Sequence, residues 1–239
     1  MPEQTWPTRL LHIGSSNSQI LRLVETDAEK AMLVNNQGYA ALSYCWGHAS
    51  LEQKERICLS DENYARRLVG FSLNELPKTF RDAIQVTRSL GLSLLWIDAL
   101  CINQTNLEEP DSDWSKESSG MQGVFSSALL TISATSASNW EQGFCSSMLE
   151  LSQLQELFGH VRLGIRRLGS RLSSRRTGNF KPLLDNDFKR RVDFGPLNQR
   201  AWVLQERVLS RRLIHFSSDG IYWECGEHVR CDDFRELRR

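Results

Sequence analysis

The chain lacks any apolar run approaching the roughly 18 residues that a membrane-crossing helix needs. Its opening, MPEQTWPTRLL, has no basic stretch followed by a long apolar one, so neither a spanning segment nor a secretory leader is expected and the expected location is cytoplasmic. Also missing is an excess of charge: 29 Lys and Arg face 29 Asp and Glu, which gives no global argument for nucleic acid, a membrane surface or a polyanionic partner. The six cysteines (Cys45, Cys58, Cys101, Cys145, Cys225 and Cys231) contain no CxxC pair and are scattered, as expected of free thiols in a reducing compartment. Cys225, His228 and Cys231 do form a C-x2-H-x2-C cluster, but its spacing is not that of a common zinc motif, so no metal is expected and it reads as a strand end followed by a polar turn. No internal repeat is visible. What remains is a chain of 239 residues, 40% hydrophobic, able to bury a sizeable core as one domain over residues 1–239.

Short alternating runs at Arg9 to Ile13 and Ile20 to Glu25, separated by the turn-forming SSNS, predict antiparallel strands. A third strand is expected at Tyr39 to Tyr44. From Leu76 the period becomes helical, with Phe80, Ala83, Ile84 and Thr87 on one face, Pro77 at the start and Gly91 as the stop. A strand from Leu92 to Ala99 follows. Ser112 or Asp113 is positioned to cap a second helix whose face carries Trp114, Met121, Phe125 and Ala128, and LLTISA at 129–134 is the next strand. Near the end, NQRAWVLQERVL predicts a helix, with strands at Arg212 to Phe216 and Ile221 to Cys225. Between Val161 and Lys181 an acid-free segment rich in arginine and glycine reads as a solvated loop or interaction segment. Nucleic-acid binding is not expected of it, because no groove-reading motif accompanies it.

Two strand ends carry the chemistry. LLWIDALCINQ at 94–104 stops an apolar strand with Asp98, Cys101, Asn103 and Gln104, and LSYCWG at 42–47 opens into Ser43, Tyr44, Trp46 and Gly47. In open α/β sheets such carboxyl ends border the ligand crevice. Trp46 could stack on a base and Gly47 could admit a phosphate to the backbone; alternatively the segment is a strand end with a core tryptophan. Asp98 is either a crevice residue or a structural acceptor, with Arg200 or Arg207 as partners. Cys101 has no histidine in a recognised arrangement and reads as a buried thiol. Trp202 and Leu209 share a face of the last helix, while Gln205, Glu206 and Arg207 offer polar groups, Glu206 being a candidate acid.

Taken together, YAALSYCWG (39–47), LPKTFRDAI (76–84), LLWIDALCINQ (94–104), DWSKESSGMQGVFSSALLTISA (113–134) and QRAWVLQERVLSRRLIHF (199–216) resemble the heterokaryon-incompatibility (HET) domain of filamentous fungi over roughly residues 9 to 225. The resemblance implies a module that triggers programmed cell death when incompatible individuals fuse. One departure follows the CINQ block: relatives commonly carry an acid there, whereas this chain has Thr105 and Asn106, with Glu108 or Glu109 as possible replacements. A more distant likeness is to the TIR domain, whose flavodoxin-like sheet supports signalling assemblies and NAD cleavage. Trp114 and Glu117 form a W-x-x-E pattern similar to the helix that carries the catalytic glutamate of NAD-cleaving TIR domains. An acid in the first turn of a helix is also favoured by the macrodipole alone.

The resulting expectation is an α/β fold: a mainly parallel central sheet flanked by helices, a TIR/flavodoxin-like core, with antiparallel strands added at both ends. Glu117 and Glu206 are the candidate catalytic acids. Ser43, Tyr44, Trp46, Gly47, Asp98, Cys101, Asn103, Gln104 and Trp114 are the candidate binding residues, with NAD as a possible substrate rather than a bound cofactor. The competing reading is a non-catalytic scaffold that works by self-association or by binding other incompatibility proteins. Trp96, Ile97, Ile84, Phe80, Phe125 and Ile132 are expected in one shared core.

Overall fold

The computed structural model describes residues 6–34, 38–145, 188–226, 229–231 and 236–237. In chain order the elements are β1 (Arg9–His12), β2 (Ile20–Glu25), α1 (Lys30–Val34), β3 (Ala40–Ser43), α2 (Leu51–Ile57), α3 (Asp61–Val69) and β4 (Phe71–Ser72). They continue with α4 (Lys78–Ser89), β5 (Leu94–Trp96), α5 (Asp98–Cys101), α6 (Asp113–Ser127) and β6 (Leu130–Ser133). After the basic segment, which lies outside the described residues, come α7 (Ala201–Leu209), β7 (Arg212–Phe216), β8 (Ile221–Cys225), β9 (Val229–Cys231) and β10 (Glu236–Leu237). Among the described residues the strands form one sheet in the order β10-β9-β8-β7-β6-β3-β5-β1-β2-β4.

The sheet is mixed. β3 lies between β5 and β6 and is parallel to both, and β6 is parallel to β7. Every other pairing is antiparallel. The expectation of a mainly parallel sheet is therefore corrected: antiparallel pairs outnumber parallel ones, because the hairpins β1–β2 and β7–β8 add strands without a crossover and β1 and β2 also pair antiparallel with the distant strands β5 and β4. β7 departs in the other direction. It was expected among the antiparallel additions, yet it aligns with β6 through Thr131↔Leu213 and Ile132↔Ile214. The intervening α7 returns the chain to the same edge of the sheet, as a crossover does.

Local sequence explains the helices that frame the sheet. Helix α4 ends in a Schellman motif: Gly91 N–H bonds to Arg88 O, Leu92 N–H to Thr87 O, and Gly91 takes the positive φ of +74° that favours glycine. Helix α6 begins at Ser112, whose hydroxyl oxygen accepts from Ser115 N–H. Helices α2 and α3 are short and rich in charged residues. Their starts are marked by Ser50 with Gln53 and by Ser60 with Asn63, two capping boxes.

The six expected core residues are all buried, but they divide between the two faces of the sheet. Phe80, Ile84, Ile97 and Ile132 pack on one side with Trp140 and Tyr44, whereas Trp96 and Phe125 pack on the other with Tyr39 and Val124. Trp96 meets Phe125 edge to face, with ring centroids 5.7 Å apart. The one-core expectation fails because consecutive residues on extended backbone point to opposite faces, which separates Trp96 from Ile97.

Candidate functional site

A cavity of about 470 Å³ opens beside the carboxyl ends of β3 and β5, between helices α6 and α7. Its polar lining comes from Asp98, Gln104, Ser118, Gln122, Arg200, Gln205 and Glu206. Trp46, Leu107, Trp114, Met121, Phe125 and Leu209 supply the apolar walls. The size and mix suit a small organic molecule held by a few convergent polar groups.

Asp98 does not lie inside the strand, as its apolar neighbours suggested; β5 stops at Trp96 and Asp98 opens the short helix α5. Its Oδ1 accepts from the Tyr44 hydroxyl at 2.7 Å and its Oδ2 from the Trp46 indole N–H at 2.8 Å, while Ala99 N–H also donates to Oδ1. Burial pushes its carboxyl above the ordinary range, opposed by those three donors and by the positive charge of Arg200. Arg207, the other candidate partner, lies elsewhere: it pairs with Glu224 and Asp193, each at 2.7 Å.

Glu206 is buried on α7 and accepts a hydrogen bond from Ser43 Oγ at 2.5 Å. Burial raises its carboxyl as well; Ser43 and Arg200 pull it down, and the charge of Asp98 pushes it up. Arg200 Nη1 donates to the Tyr44 carbonyl oxygen at the start of the same helix. Two raised carboxyls around one guanidinium thus form the polar floor of the cavity, an arrangement expected of functional sites more than of cores.

Glu117 is not brought to the cavity. Trp114, Ser118, Met121, Gln122 and Phe125 follow helical spacing along the lining face of α6. Glu117 sits on the neighbouring flank, 3.6 Å from Arg9, which is also paired with Asp113. Arg9 Nε donates to Cys101 O, so this arginine ties β1 to the end of α5 and the start of α6. Asp113 Oδ2 also accepts from Asn103 N–H, so Asp113 is the acid that fastens the loop after the CINQ block. Glu108 and Glu109 are exposed and do not line the cavity.

The remaining binding candidates divide. Trp46, Gln104 and Trp114 line the cavity; Ser43 and Tyr44 are buried behind it and hydrogen-bond to Glu206 and Asp98. Asn103 turns away, its side-chain amide donating to Asp61 at 2.6 Å. Cys101 is buried against the Trp96 cluster, and burial pushes its thiol up to about 12. Gly47 has a φ of +68°, and a Cβ there would lie 2.3 Å from the Asn139 Cβ, so this glycine admits Asn139 rather than a phosphate. The Trp46 ring lies against Trp140 and Tyr44, with centroids 5.6 and 6.4 Å away. Trp114 is therefore the better placed of the two to stack on a ligand. Sequence reasoning treated Arg200 as a partner of Asp98 only; its place immediately before the helix that carries Glu206 was the signal that it belonged to the site.

Cys45, Cys58 and Cys101 are buried free thiols. Among the described residues no group of His, Cys, Asp and Glu is arranged to hold a metal ion, and His228 of the C-x2-H-x2-C cluster lies outside them. No described helix is long and apolar enough to cross a membrane.

Comparison with known proteins agrees with the sequence blocks that build this cavity. The model of the heterokaryon incompatibility protein (HET) family matches residues 39–206, well over half of the chain. No curated protein and no solved structure matches. The chain belongs to the HET family.

Proposed function

We propose that this HET-family chain is a cytoplasmic effector of incompatibility-linked cell death that works by cleaving NAD in the cavity beneath α6 and α7. The observation that carries this reading is Glu206, a buried carboxyl held by Ser43 and facing a space of nucleoside size between aromatic walls. In the proposed reaction the bond from ribose C1′ to the pyridinium nitrogen breaks, and its electron pair leaves with nicotinamide. The Glu206 carboxylate stabilises the positive charge that develops on C1′, in a partly dry site where such an interaction is strong. Water adds to C1′ and loses a proton, giving ADP-ribose. The topology supports the reading: the parallel strands run β5-β3-β6-β7, that is second, first, third and fourth, the order at which flavodoxin-like sheets open a ligand crevice.

Purified protein should consume NAD, and Glu206→Gln, which keeps the Ser43 bond and removes the charge, should slow it by about 100-fold or more. An inactive wild-type protein with normal folding would sink the enzymatic reading.

A scaffold reading is favoured by one observation. Leu204 and Val208, one turn apart on α7, are each 72% exposed and face away from the cavity. If self-association is the activity, Leu204→Lys with Val208→Lys should abolish killing while NAD consumption stays at the wild-type level.

A further inference from the structure

Charge and shape together say more about the ligand than its size does. Among the described residues lining the cavity, Asp98 and Glu206 bring two carboxyl groups and Arg200 the single basic group, an excess of one negative charge. Neither carboxylate has a direct ion pair: Asp98 is held by Tyr44, Trp46 and Ala99 N–H, and Glu206 by Ser43. Arg200 points a donor at the Tyr44 carbonyl. Both acids are thus desolvated with neutral donors as their hydrogen-bond partners, and Trp114 and Phe125 wall the space above them.

We propose that the cavity selects a flat heteroaromatic monocation, of the N-substituted pyridinium class, over neutral and zwitterionic rings of the same shape. A cation gives two desolvated carboxylates a counter-charge where the effective dielectric is low, and its ring is attracted to an aromatic face. A neutral ring displaces water from the carboxyls and returns no charge. A ring with its own carboxylate adds a like charge beside Asp98 and Glu206. The inference rests on the reading above in taking the pyridinium of NAD as the natural occupant. Its consequence is that the oxidised dinucleotide is accepted and the reduced one, whose ring is neutral, is rejected.

The test uses the full chain and ligands with no glycosidic bond. 1-Methylnicotinamide is the cation, nicotinamide the neutral ring and N-methylnicotinate the zwitterion, each titrated by calorimetry. The cation should bind about tenfold or more tightly than either of the others. Glu206→Gln, with folding checked by circular dichroism, should bring the cation and nicotinamide to within about threefold of one another. Asp98→Asn is the second variant and should weaken the preference in the same direction. Equal affinity for the three rings, no binding of the cation, or a preference untouched by both variants would overturn the proposal. Selective cation binding without NAD cleavage would uphold it and refute the enzymatic reading. Cleavage without cation preference would do the reverse.

Discussion

Ser43 Oγ donates to Glu206 Oε2 across 2.5 Å, joining the end of β3 to a helix 163 residues later. Burial is the largest influence on the Glu206 carboxyl and raises it; the Ser43 bond is the largest one opposing that rise. Ser43→Ala should therefore raise it further, so that the acid limb of the NAD-cleavage profile moves to higher pH. Losing a hydrogen bond to a buried charged group should also cost about 1.5 to 3 kcal/mol, read from urea unfolding. An unshifted acid limb would separate Glu206 from the rate.

The same raised carboxyl makes a statement about stability. A carboxyl that is raised on folding binds its proton more tightly in the folded chain, so its favourable contribution is complete below the ordinary value of 4.5 and is lost as pH rises through the folded value. Glu206→Gln should thus be more stable than the wild type at pH 7, with the advantage vanishing below about pH 4.5. Urea midpoints at pH 7 and pH 4 would check it.

Arg207 holds Glu224 and Asp193 behind α7, and Glu224 also meets buried His215 at 2.9 Å. Burial raises the Glu224 carboxyl, but the bonds from His215 and Arg207 outweigh it and hold it at about 2. Its stabilisation is therefore present above the ordinary carboxylate value and lost as pH falls toward about 2. Arg207→Met leaves Glu224 without its guanidinium and should cost about 3 to 5 kcal/mol at neutral pH. Thermal unfolding of the variant near pH 7 and near pH 3 should show the penalty shrinking in acid.

Trp96 fills the face of the sheet opposite Ile97, so Trp96→Ala should cost about 3 to 5 kcal/mol through the cavity it leaves. Ile97→Val, by contrast, should cost only about 0.5 to 1.5 kcal/mol. Chemical denaturation of both variants would check the difference.

Gly47→Ala should destabilise by about 1 kcal/mol or more, since the left-handed backbone disfavours any Cβ and Asn139 already occupies the space. A melting temperature equal to the wild type would show that the β3 end relaxes freely.

Glu117→Gln removes one partner of a 3.6 Å contact with Arg9, whose closer acid is Asp113. The change should cost about 1 kcal/mol or less and leave NAD cleavage within about threefold of wild type. A loss as large as that of Glu206→Gln would return the catalytic role to Glu117.

The sequence by itself determined helices α4, α6 and α7, most of the strands and the polar strand ends. Periodicity located α4, α6 and α7, Gly91 and Ser112 marked their limits, and the blocks around Ser43, Asp98, Trp114 and Glu206 identified the family and the edge of the sheet where a site belongs. These features are local, set by backbone preference and by which side chains recur on one face. Tertiary structure alone decided which acid faces the cavity, that Arg200 joins it, that Gly47 makes room for Asn139, and that Trp96 and Ile97 serve different cores. Helical spacing shows that Trp114 and Ser118 share a face, but not which partner that face meets. That choice is made by contacts between residues far apart in the chain, such as Ser43 with Glu206 and Arg9 with Asp113, whose energies depend on distance and burial that no local pattern records.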